Sequence, residues 1–546
     1  MKKFLEKIEN INIGFGYSIL IFCFAIFLRT FLENFTNLNN MGMINGFIDT
    51  FFHYPLWFFS IFLGLIIIIY NFTKKPLEKI FKVVSFSSII IILPPILDII
   101  FYGHKILYNF ITGSWVEICK QYFSLFINTP ALGVGIKIEV IIILISIFYY
   151  VYIQNKNILK AILAAWLCYT VIFAMLILPD IVYIFSSFFS HLPKLSTFAV
   201  QNFYFPAKLS EQVFISRVYL SDAIFGSVRF GMSANLYSII LSQASAVIFI
   251  IFSFITSLLY FGLNKIIFIL KNFRWLRISH YMFLFVFGIL FLLKNINIFS
   301  YFSNIYNLLS FILLAGSLLF AWLFAVWEND EADRSIDIIS NPDRPLNMKI
   351  FSNIEWKNIK WIFFVFSIIL ALLVSYSSLI LILVFIIIYH LYSVYPFRLK
   401  KYTIISSVLI GVNACICFLL GFLFIAGDQP FNIMPMTVLL GILIFYLCVE
   451  NIKNLKDVKG DAENMIKTIP VIFGEKKGQI ITWLVVTLGT FAVPFLIFPN
   501  NILFFLVPIL GVFSYFFIVK DNYKEKPLFI YYLVSFVIIL FLNFII

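Results

Sequence analysis

Acidic and amide side chains form two clusters in this chain, whose mean hydropathy is +1.02 and whose residues are 62% hydrophobic. The first is Asn-Asp-Glu-Ala-Asp-Arg-Ser-Ile-Asp at residues 329–337, and the second is Asn-Leu-Lys-Asp-Val-Lys-Gly-Asp at residues 454–461. An α-helix turns by about 100° per residue, so each cluster places its oxygen ligands in a strip along one face. The first strip comprises Asn329, Asp330, Asp333 and Asp337, and the second comprises Asp457 and Asp461, extended by Asn454 and Glu450.

Two such strips repel each other unless a cation lies between them. Hard oxygen ligands favour Mg²⁺ over Zn²⁺ or Cu²⁺. The two clusters therefore predict a diphosphate-binding magnesium site at a membrane surface. A single acidic cluster is often only a solvated surface, and the pairing of the two clusters is what favours the metal site.

Long apolar runs recur along all 546 residues, and a run of about 18 apolar residues is long enough to cross a bilayer core. The length rule predicts an all-α, polytopic membrane protein with about fifteen transmembrane helices. A basic stretch at residues 264–279 separates the first six of these helices from the last nine. We therefore predict an N-terminal membrane domain of unknown function (residues 1–270) and a C-terminal domain (residues 271–546). The six cysteines lack ligand-type spacing, so we expect no disulfide and no zinc site.

The net charge of +13 arises although only 12% of the residues are charged. The basic residues are concentrated in short, alternate connections between apolar runs, as the positive-inside rule describes. The charge therefore indicates topology in a lipid bilayer, and no nucleic-acid partner is expected. We predict a multi-pass cell-membrane protein with a cytoplasmic N-terminus, and the same alternation places both acidic clusters on the cytoplasmic side.

Two segments of the N-terminal half resemble each other, residues 70–98 and 152–180. Each has a basic turn before an apolar helix that ends in a proline-containing, Asp-terminated sequence. This pattern is typical of a repeated helical hairpin, although two apolar stretches also resemble each other by chance. Asp98 and Asp180 are either functional groups at membrane depth or caps for backbone groups that the neighbouring prolines free, and we favour the caps.

From about Arg274 to the C-terminus, the chain resembles the UbiA superfamily of membrane-intrinsic prenyltransferases. Three motifs carry the resemblance, in the order that the family has. They are the first acidic cluster with its trailing Asn-Pro-Asp-Arg-Pro-Leu turn (residues 341–346), the Tyr-Ser-Val-Tyr-Pro-Phe-Arg-Leu-Lys-Lys stretch (residues 392–401), and the second acidic cluster with its continuation to Gly474. The resemblance covers half of the protein and implies a nine-helix UbiA-like bundle.

The resemblance also implies transfer of an isoprenyl group from a prenyl diphosphate. Mg²⁺ between the carboxylate strips would stabilise the leaving diphosphate, and basic and hydroxyl side chains would bind its oxygens. The expected catalytic carboxylates are Asp330, Asp333, Asp457 and Asp461. The expected metal ligands are Asn329, Asp333, Asp337, Asn454, Asp457 and Asp461. The expected diphosphate-binding residues are Arg344, Tyr392, Ser393, Arg398, Lys400 and Lys467.

Two features depart from the family pattern. Many relatives have an acidic residue at the position of Asn454, and the N-terminal helices have no counterpart in the family core. The acceptor stays open among the aromatic ring of a quinone precursor, chlorophyllide, haem and a glycerol phosphate ether lipid. The alternative function is a membrane transporter or scaffold that binds cations through the acidic clusters. Such a protein is expected to hold ionisable residues near the bilayer midplane, whereas these clusters lie at the ends of the predicted spans.

Overall fold

Helices make up the architecture of the computed structural model, and no β-strand occurs in the part of the chain that it describes. The prediction of an all-α protein is therefore confirmed. The described residues are 2–35, 53–103, 110–126, 129, 132–189, 232–293, 298–302, 304–334, 337–338, 344, 346–348, 350–426, 434–455, 458, 462, 468–497, 501–520, 523 and 525–545.

The α-helices of the N-terminal half are α1 Lys2–Glu9, α2 Phe15–Phe35, α3 Tyr54–Thr73, α4 Leu77–Ser87, α5 Leu93–Tyr102, α6 Trp115–Phe123, α7 Val134–Asn155, α8 Ile158–Leu176, α9 Leu178–Phe189 and α10 Met232–Lys271. Those of the C-terminal half are α11 Trp275–Leu293, α12 Ile298–Phe302, α13 Ile305–Ala332, α14 Asn353–Leu372, α15 Tyr376–Ser393, α16 Thr403–Ala426, α17 Met436–Val449, α18 Ile469–Phe473, α19 Glu475–Ala492, α20 Asn501–Phe513 and α21 Glu525–Ile545.

Twelve helical segments of the described chain are long and apolar enough to cross a bilayer core. Two further apolar helices, Leu503–Val519 and Lys526–Ile539, are shorter. These lengths confirm a polytopic membrane protein, and the total of about fifteen transmembrane helices stays a prediction.

The described residues belong to two compact units. The first contains described residues of Met1–Tyr204, Val228–Ile266 and Phe299–Ser310, and the second contains those of Ile267–Ile298 and Phe311–Ile546. All the candidate site residues that the structure describes lie in the second unit. The division of the chain into domains at residue 270 stays a prediction.

Two helical hairpins of the first unit, α3–α4 and α7–α8, share one turn geometry. Lys74 and Lys156 both adopt the left-handed conformation with φ of 53°, and their N–H groups donate to the carbonyls of Tyr70 (2.8 Å) and Tyr152 (2.7 Å). Each lysine also lies over the ring of that tyrosine, at 5.5 and 5.7 Å from the ring centroid. A left-handed lysine is uncommon. Its recurrence at the same offset in both hairpins favours a true repeat over a chance likeness.

The two aspartates that end the repeated segments accept hydrogen bonds from backbone amides at or near the N-terminal ends of other helices. Asp98 is 1% exposed, and its Oδ1 accepts a hydrogen bond from the N–H of Gly135 (2.7 Å) in the first turn of α7. Asp180 accepts a backbone hydrogen bond from Gly113, just before α6. The capping role is therefore as expected, but the capped groups belong to other segments and are not those freed by the adjacent prolines.

In the second unit, α11 and α16 pack against each other through glycines. A Cβ atom at Gly288 would overlap the carbonyl oxygen of Phe418, and one at Gly421 would overlap the carbonyl oxygen of Phe285. Small residues allow such backbone contact between helices in a membrane. This packing fixes α16, which begins directly after the basic end of the residue 392–401 motif.

Candidate active site

The described site residues occupy helix ends in the second unit. The first acidic cluster lies at the C-terminal end of α13, and Ser393 is the last residue of α15. A 3₁₀-turn, Leu399–Lys401, precedes α16, and a second 3₁₀-helix, Glu450–Leu455, follows α17. Charged groups at helix ends avoid the apolar middle of the bilayer.

The helical hydrogen-bond pattern continues through the first acidic cluster. The N–H of Asp333 donates to the carbonyl of Asn329, and the N–H of Asp337 donates to the carbonyl of Asp333, both at 2.9 Å. These three side chains are therefore stacked one turn apart, as the spacing in the sequence predicts.

Asp330 is almost fully buried and receives hydrogen bonds from several donors. Asn272 Nδ2 donates to Oδ2 (2.9 Å), Arg344 Nη1 donates to Oδ1 (2.6 Å), and Arg274 also pairs with Oδ1. Arg344 makes a second ion pair with Asp337. Two guanidinium groups therefore neutralise this end of the strip.

Asp333 binds the other two basic groups of the site. Arg398 Nη2 donates to Asp333 Oδ1 (2.8 Å), and Lys400 Nζ donates to its Oδ2. The amide oxygen of Asn329 accepts hydrogen bonds from Ser393 Oγ (3.0 Å) and from Lys400 Nζ (3.1 Å). Burial lowers the pKa of the Lys400 ammonium from its ordinary value, against the raising effect of Asp333.

One donor of this network has no acceptor among the described residues. Arg398 is 8% exposed, and its Nε–H is buried without a hydrogen-bond partner in that part of the chain. A buried N–H group without an acceptor destabilises the protein unless a ligand binds it. The guanidinium is therefore suited to an anion with several oxygens.

Tyr392 is held by residues from the 3₁₀-helix after α17. Lys453 Nζ donates to the Tyr392 hydroxyl oxygen (2.8 Å) and also pairs with Glu450. Asn454 is 8% exposed in the same 3₁₀-helix. Tyr392 was expected to contact diphosphate and Glu450 to extend the second strip, whereas here they share a lysine.

The second acidic cluster is only partly described. Asp457, Asp461 and Lys467 lie outside the described residues, so the meeting of the two strips stays a prediction. No group of three or more His, Cys, Asp or Glu side chains in the described ranges is arranged to hold a metal ion. The first strip alone offers hard oxygen donors that suit Mg²⁺, and a complete ligand set needs donors from elsewhere.

Sequence reasoning missed three donors of the site, two in the connection between α10 and α11 and one in the 3₁₀-helix after α17. Asn272 and Arg274 lie in the basic stretch that separates the two predicted domains, where cationic residues were interpreted as topological anchors. Lys453 lies between two expected ligands and carries no spacing signal of its own. The signal available for Arg274 was its position at a span end on the side predicted to hold the acidic clusters.

Residues 282–544 match the UbiA prenyltransferase family. This part of the chain belongs to that family. The resemblance seen in the sequence is thereby confirmed, and the UbiA domain is a prenyltransferase domain.

Curated relatives of the UbiA domain include several archaeal digeranylgeranylglyceryl phosphate synthases. The one from Methanosphaera stadtmanae is 27% identical over 209 residues, which are 36% of this chain and 72% of that protein. Those from Sulfurisphaera tokodaii and Methanobrevibacter smithii are 29% and 30% identical. The matched segments cover 32% and 28% of this chain and 62% and 54% of those proteins.

Solved structures similar to the UbiA domain are more distant in sequence. A UbiA homologue from Archaeoglobus fulgidus bound to DMAPP and Mg²⁺ is 16% identical, covers 51% of this chain and 98% of its own, and gives a TM-score of 0.39. A digeranylgeranylglyceryl phosphate synthase structure is 22% identical, with the same two coverages and a TM-score of 0.35.

Proposed function

We propose that the UbiA domain transfers an isoprenyl group from a prenyl diphosphate to a lipid acceptor in a Mg²⁺-dependent reaction. The observation that carries this proposal is the network around the first acidic strip. It combines three carboxylates with four basic side chains at one helix end, and it leaves the buried Nε–H of Arg398 without an acceptor in the described chain.

The first strip supplies one side of the proposed metal site. Asn329, Asp333 and Asp337 offer stacked amide and carboxylate oxygens, and Asp457 and Asp461 would complete the ligand set from the second strip. Bound Mg²⁺ would neutralise negative charge on the diphosphate as its bond to the allylic carbon breaks. Asp330 is enclosed by Asn272 and two arginines, so we propose that it orients these cations.

The basic side chains are suited to the diphosphate itself. In the structure described here they bind carboxylates, and a metal ion that took those carboxylate oxygens would release cationic donors for phosphate oxygens. Arg398 and Arg344 present planar N–H groups that match phosphate geometry, and Lys400 adds a point charge. Fixed cations of this kind stabilise the charge that develops on a leaving group.

The reaction balances without any further reagent. The allylic C–O bond of the donor breaks, and the diphosphate leaves with the bonding electron pair. A nucleophilic oxygen or carbon of the acceptor forms the new bond to the allylic carbon, and its proton passes to the departing diphosphate.

We propose a glyceryl phosphate lipid as the acceptor. The support is the naming of the relatives as digeranylgeranylglyceryl phosphate synthases, whose product carries two geranylgeranyl groups on glyceryl phosphate. The donor would then be geranylgeranyl diphosphate. Aromatic, chlorophyllide and haem acceptors are the competing outcomes of the test. The distribution of basic connections further supports an active site that opens to the cytoplasm.

The test is a transfer assay in membranes that contain the full-length chain. Radiolabelled geranylgeranyl diphosphate is incubated with each acceptor class, with Mg²⁺ or with a chelator. We expect labelled product only with Mg²⁺ and with the glyceryl phosphate acceptor. We expect Asp333→Asn to lower kcat/KM by about a hundredfold or more, because one ligand of a charge-stabilising group is lost.

Glu331→Gln is the matched control. Glu331 lies between Asp330 and Asp333 in the sequence, but its carboxylate binds Lys360 (2.6 Å) on another face. We expect its kcat/KM to stay within about threefold of the wild type, as for a surface ion pair. Equal losses in both variants, or full turnover in chelator, would overturn the proposed site.

A further inference from the structure

The first unit contains a cavity of about 140 Å³ between α2, α3, α4, α7 and α8. Its walls are chiefly apolar and aromatic, with Phe22, Trp57, Phe62 and Ile172 among them. Along α7 the lining residues extend from Ile136 to Tyr150, over about four helical turns. A small volume spread over about four turns makes a narrow slot, which admits a single hydrocarbon chain.

One end of the slot carries a buried ion cluster. Arg29 Nε donates to Glu33 Oε1 (2.8 Å), and Arg29 Nη1 donates to Glu139 Oε2 (3.1 Å) and to the Ile91 carbonyl (2.9 Å). The guanidinium also lies 5.2 Å from the ring centroid of Phe58. Arg29 and Glu139 both line the slot.

The charge of this cluster selects the head group of a ligand. One guanidinium lies between two carboxylates, so these three side chains, taken by themselves, carry a formal charge of −1. An anionic head group would meet two carboxylates in a low-dielectric site and be repelled. A cationic head group would have to lose its water shell at membrane depth. An uncharged hydroxyl can donate to the Glu139 carboxylate without either penalty.

The other end of the slot is closed by a satisfied cluster. The Tyr150 hydroxyl donates to Glu9 Oε1 (2.9 Å), and Lys75 Nζ donates to both oxygens of Glu9 at 2.6 Å. Lys75 and Glu9 balance each other in charge, and Tyr150 contributes its ring to the slot. This end therefore suits the apolar part of a ligand.

Two residues that line the slot are exposed at the protein surface, Ser87 on α4 and Ser146 on α7. Both helices are apolar enough to lie in the bilayer, so a chain can enter from the lipid without crossing water.

We propose that the first unit binds an uncharged, single-chain alcohol in this slot, with its hydroxyl group on Glu139 and its chain directed towards Tyr150. An engineered protein cavity of similar volume holds benzene, so the ligand has on the order of six to ten carbon atoms inside the slot. Straight-chain and isoprenoid alcohols share this chemistry. The proposal does not depend on prenyl transfer by the second unit.

The test is photolabelling of the full-length chain in detergent with a diazirine derivative of octanol, followed by peptide mapping. We expect labelling on α7 that 1-octanol and geraniol both suppress and that octanoic acid and octylamine do not. Stronger suppression by 1-octanol or by geraniol shows whether the slot prefers a straight-chain or an isoprenoid alcohol.

Substitutions on α7 distinguish ligand binding in the slot from labelling of the lipid-facing surface. Ile143 lines the slot, whereas Ile141 on the same helix is 49% exposed. We expect Ile143→Trp to lower the suppressible labelling by about tenfold, because it fills the slot, and Ile141→Trp to leave it unchanged. Glu139→Gln removes the excess negative charge, and octanoic acid is then expected to compete.

The proposal is overturned if octanoic acid competes as well as octanol against the wild type. It is also overturned if both tryptophan variants label like the wild type, which would show contact with bulk lipid only. Thermal unfolding of each variant verifies that it is folded, and a variant that unfolds is replaced by Ile143→Phe and Ile141→Phe.

Discussion

Each unit of this protein holds a buried cluster of ion pairs, and the ion pairs among the described residues differ between the two clusters in the sign of their excess charge. In the first unit, one arginine lies between the carboxylates of Glu33 and Glu139 beside an apolar slot. In the UbiA domain, three carboxylates are matched with four basic side chains, which are Arg274, Arg344, Arg398 and Lys400.

The sign of the excess indicates which ligands each region can take. An acidic excess in an apolar slot repels phosphates and favours an uncharged donor, whereas basic side chains at a helix end, once a metal ion takes their carboxylate partners, attract phosphates. Carboxylates therefore serve two purposes in one chain. In the first unit they hold a single cation, and in the UbiA domain they keep several cations in place for an incoming anion.

The largest expected effect comes from removing the cation of the first unit. Arg29→Met leaves the carboxylates of Glu33 and Glu139 buried without their partner, and loss of a buried partner destabilises a protein by about 3–5 kcal/mol. We expect a lower unfolding temperature for the purified full-length chain in detergent. Arg29→Lys keeps the charge but loses the forked geometry of the guanidinium, so its unfolding temperature is expected between those of the wild type and Arg29→Met. Unchanged unfolding of Arg29→Met would show that this cluster contributes little to the stability of the first unit.

A smaller effect is expected from lowering the basic excess of the UbiA domain. Arg398→Met removes the donor to Asp333 and the buried Nε–H group. We expect the inhibition constant of inorganic diphosphate in the transfer assay to rise by about a hundredfold, corresponding to about 2.7 kcal/mol for a charged hydrogen-bond donor. Lys401→Met is the matched control, because Lys401 is exposed and lies over the ring of Tyr395 at 5.1 Å. Equal inhibition constants for wild type and Arg398→Met would show that Arg398 does not bind the diphosphate.

The smallest expected effect concerns a neutral group of the same site. Ser393 was predicted to bind diphosphate, whereas its hydroxyl donates to Asn329 Oδ1. Removing one neutral hydrogen bond changes a free energy by about 1 kcal/mol, so Ser393→Ala should lower kcat/KM about fivefold. If Ser393 orients Asn329 as a metal ligand, the loss appears as a higher Mg²⁺ requirement at an unchanged KM for the donor. A higher KM with an unchanged Mg²⁺ requirement would restore the role predicted from the sequence.

The sequence predicted what depends on local geometry. The stacking of Asn329, Asp333 and Asp337 follows from helical spacing alone, and the backbone hydrogen bonds at and after the end of α13 have that spacing. The ion pair of Arg29 with Glu33 is equally local, since the two residues are four positions apart, although the sequence analysis did not predict it. The apolar runs likewise predicted a polytopic helical protein, because span length is set by bilayer thickness.

The remainder depends on which helices are neighbours. Arg274 reaches Asp330 across 56 positions of the chain, and Arg29 reaches Glu139 across 110. Nothing in the local sequence distinguishes these cations from the lysines and arginines that only anchor a helix end. The slot of the first unit was also unpredictable, because its lining residues and the lipid-facing residues of the same helices are equally apolar.

Calorimetric titration of the purified full-length chain with a non-reactive prenyl thiolodiphosphate tests the central claim most directly. We predict tight binding in the presence of Mg²⁺, and about a hundredfold weaker binding either in chelator or in Asp333→Asn, because carboxylates, metal and diphosphate bind as one unit. Binding of equal strength with and without Mg²⁺, unaffected by Asp333→Asn, would contradict it.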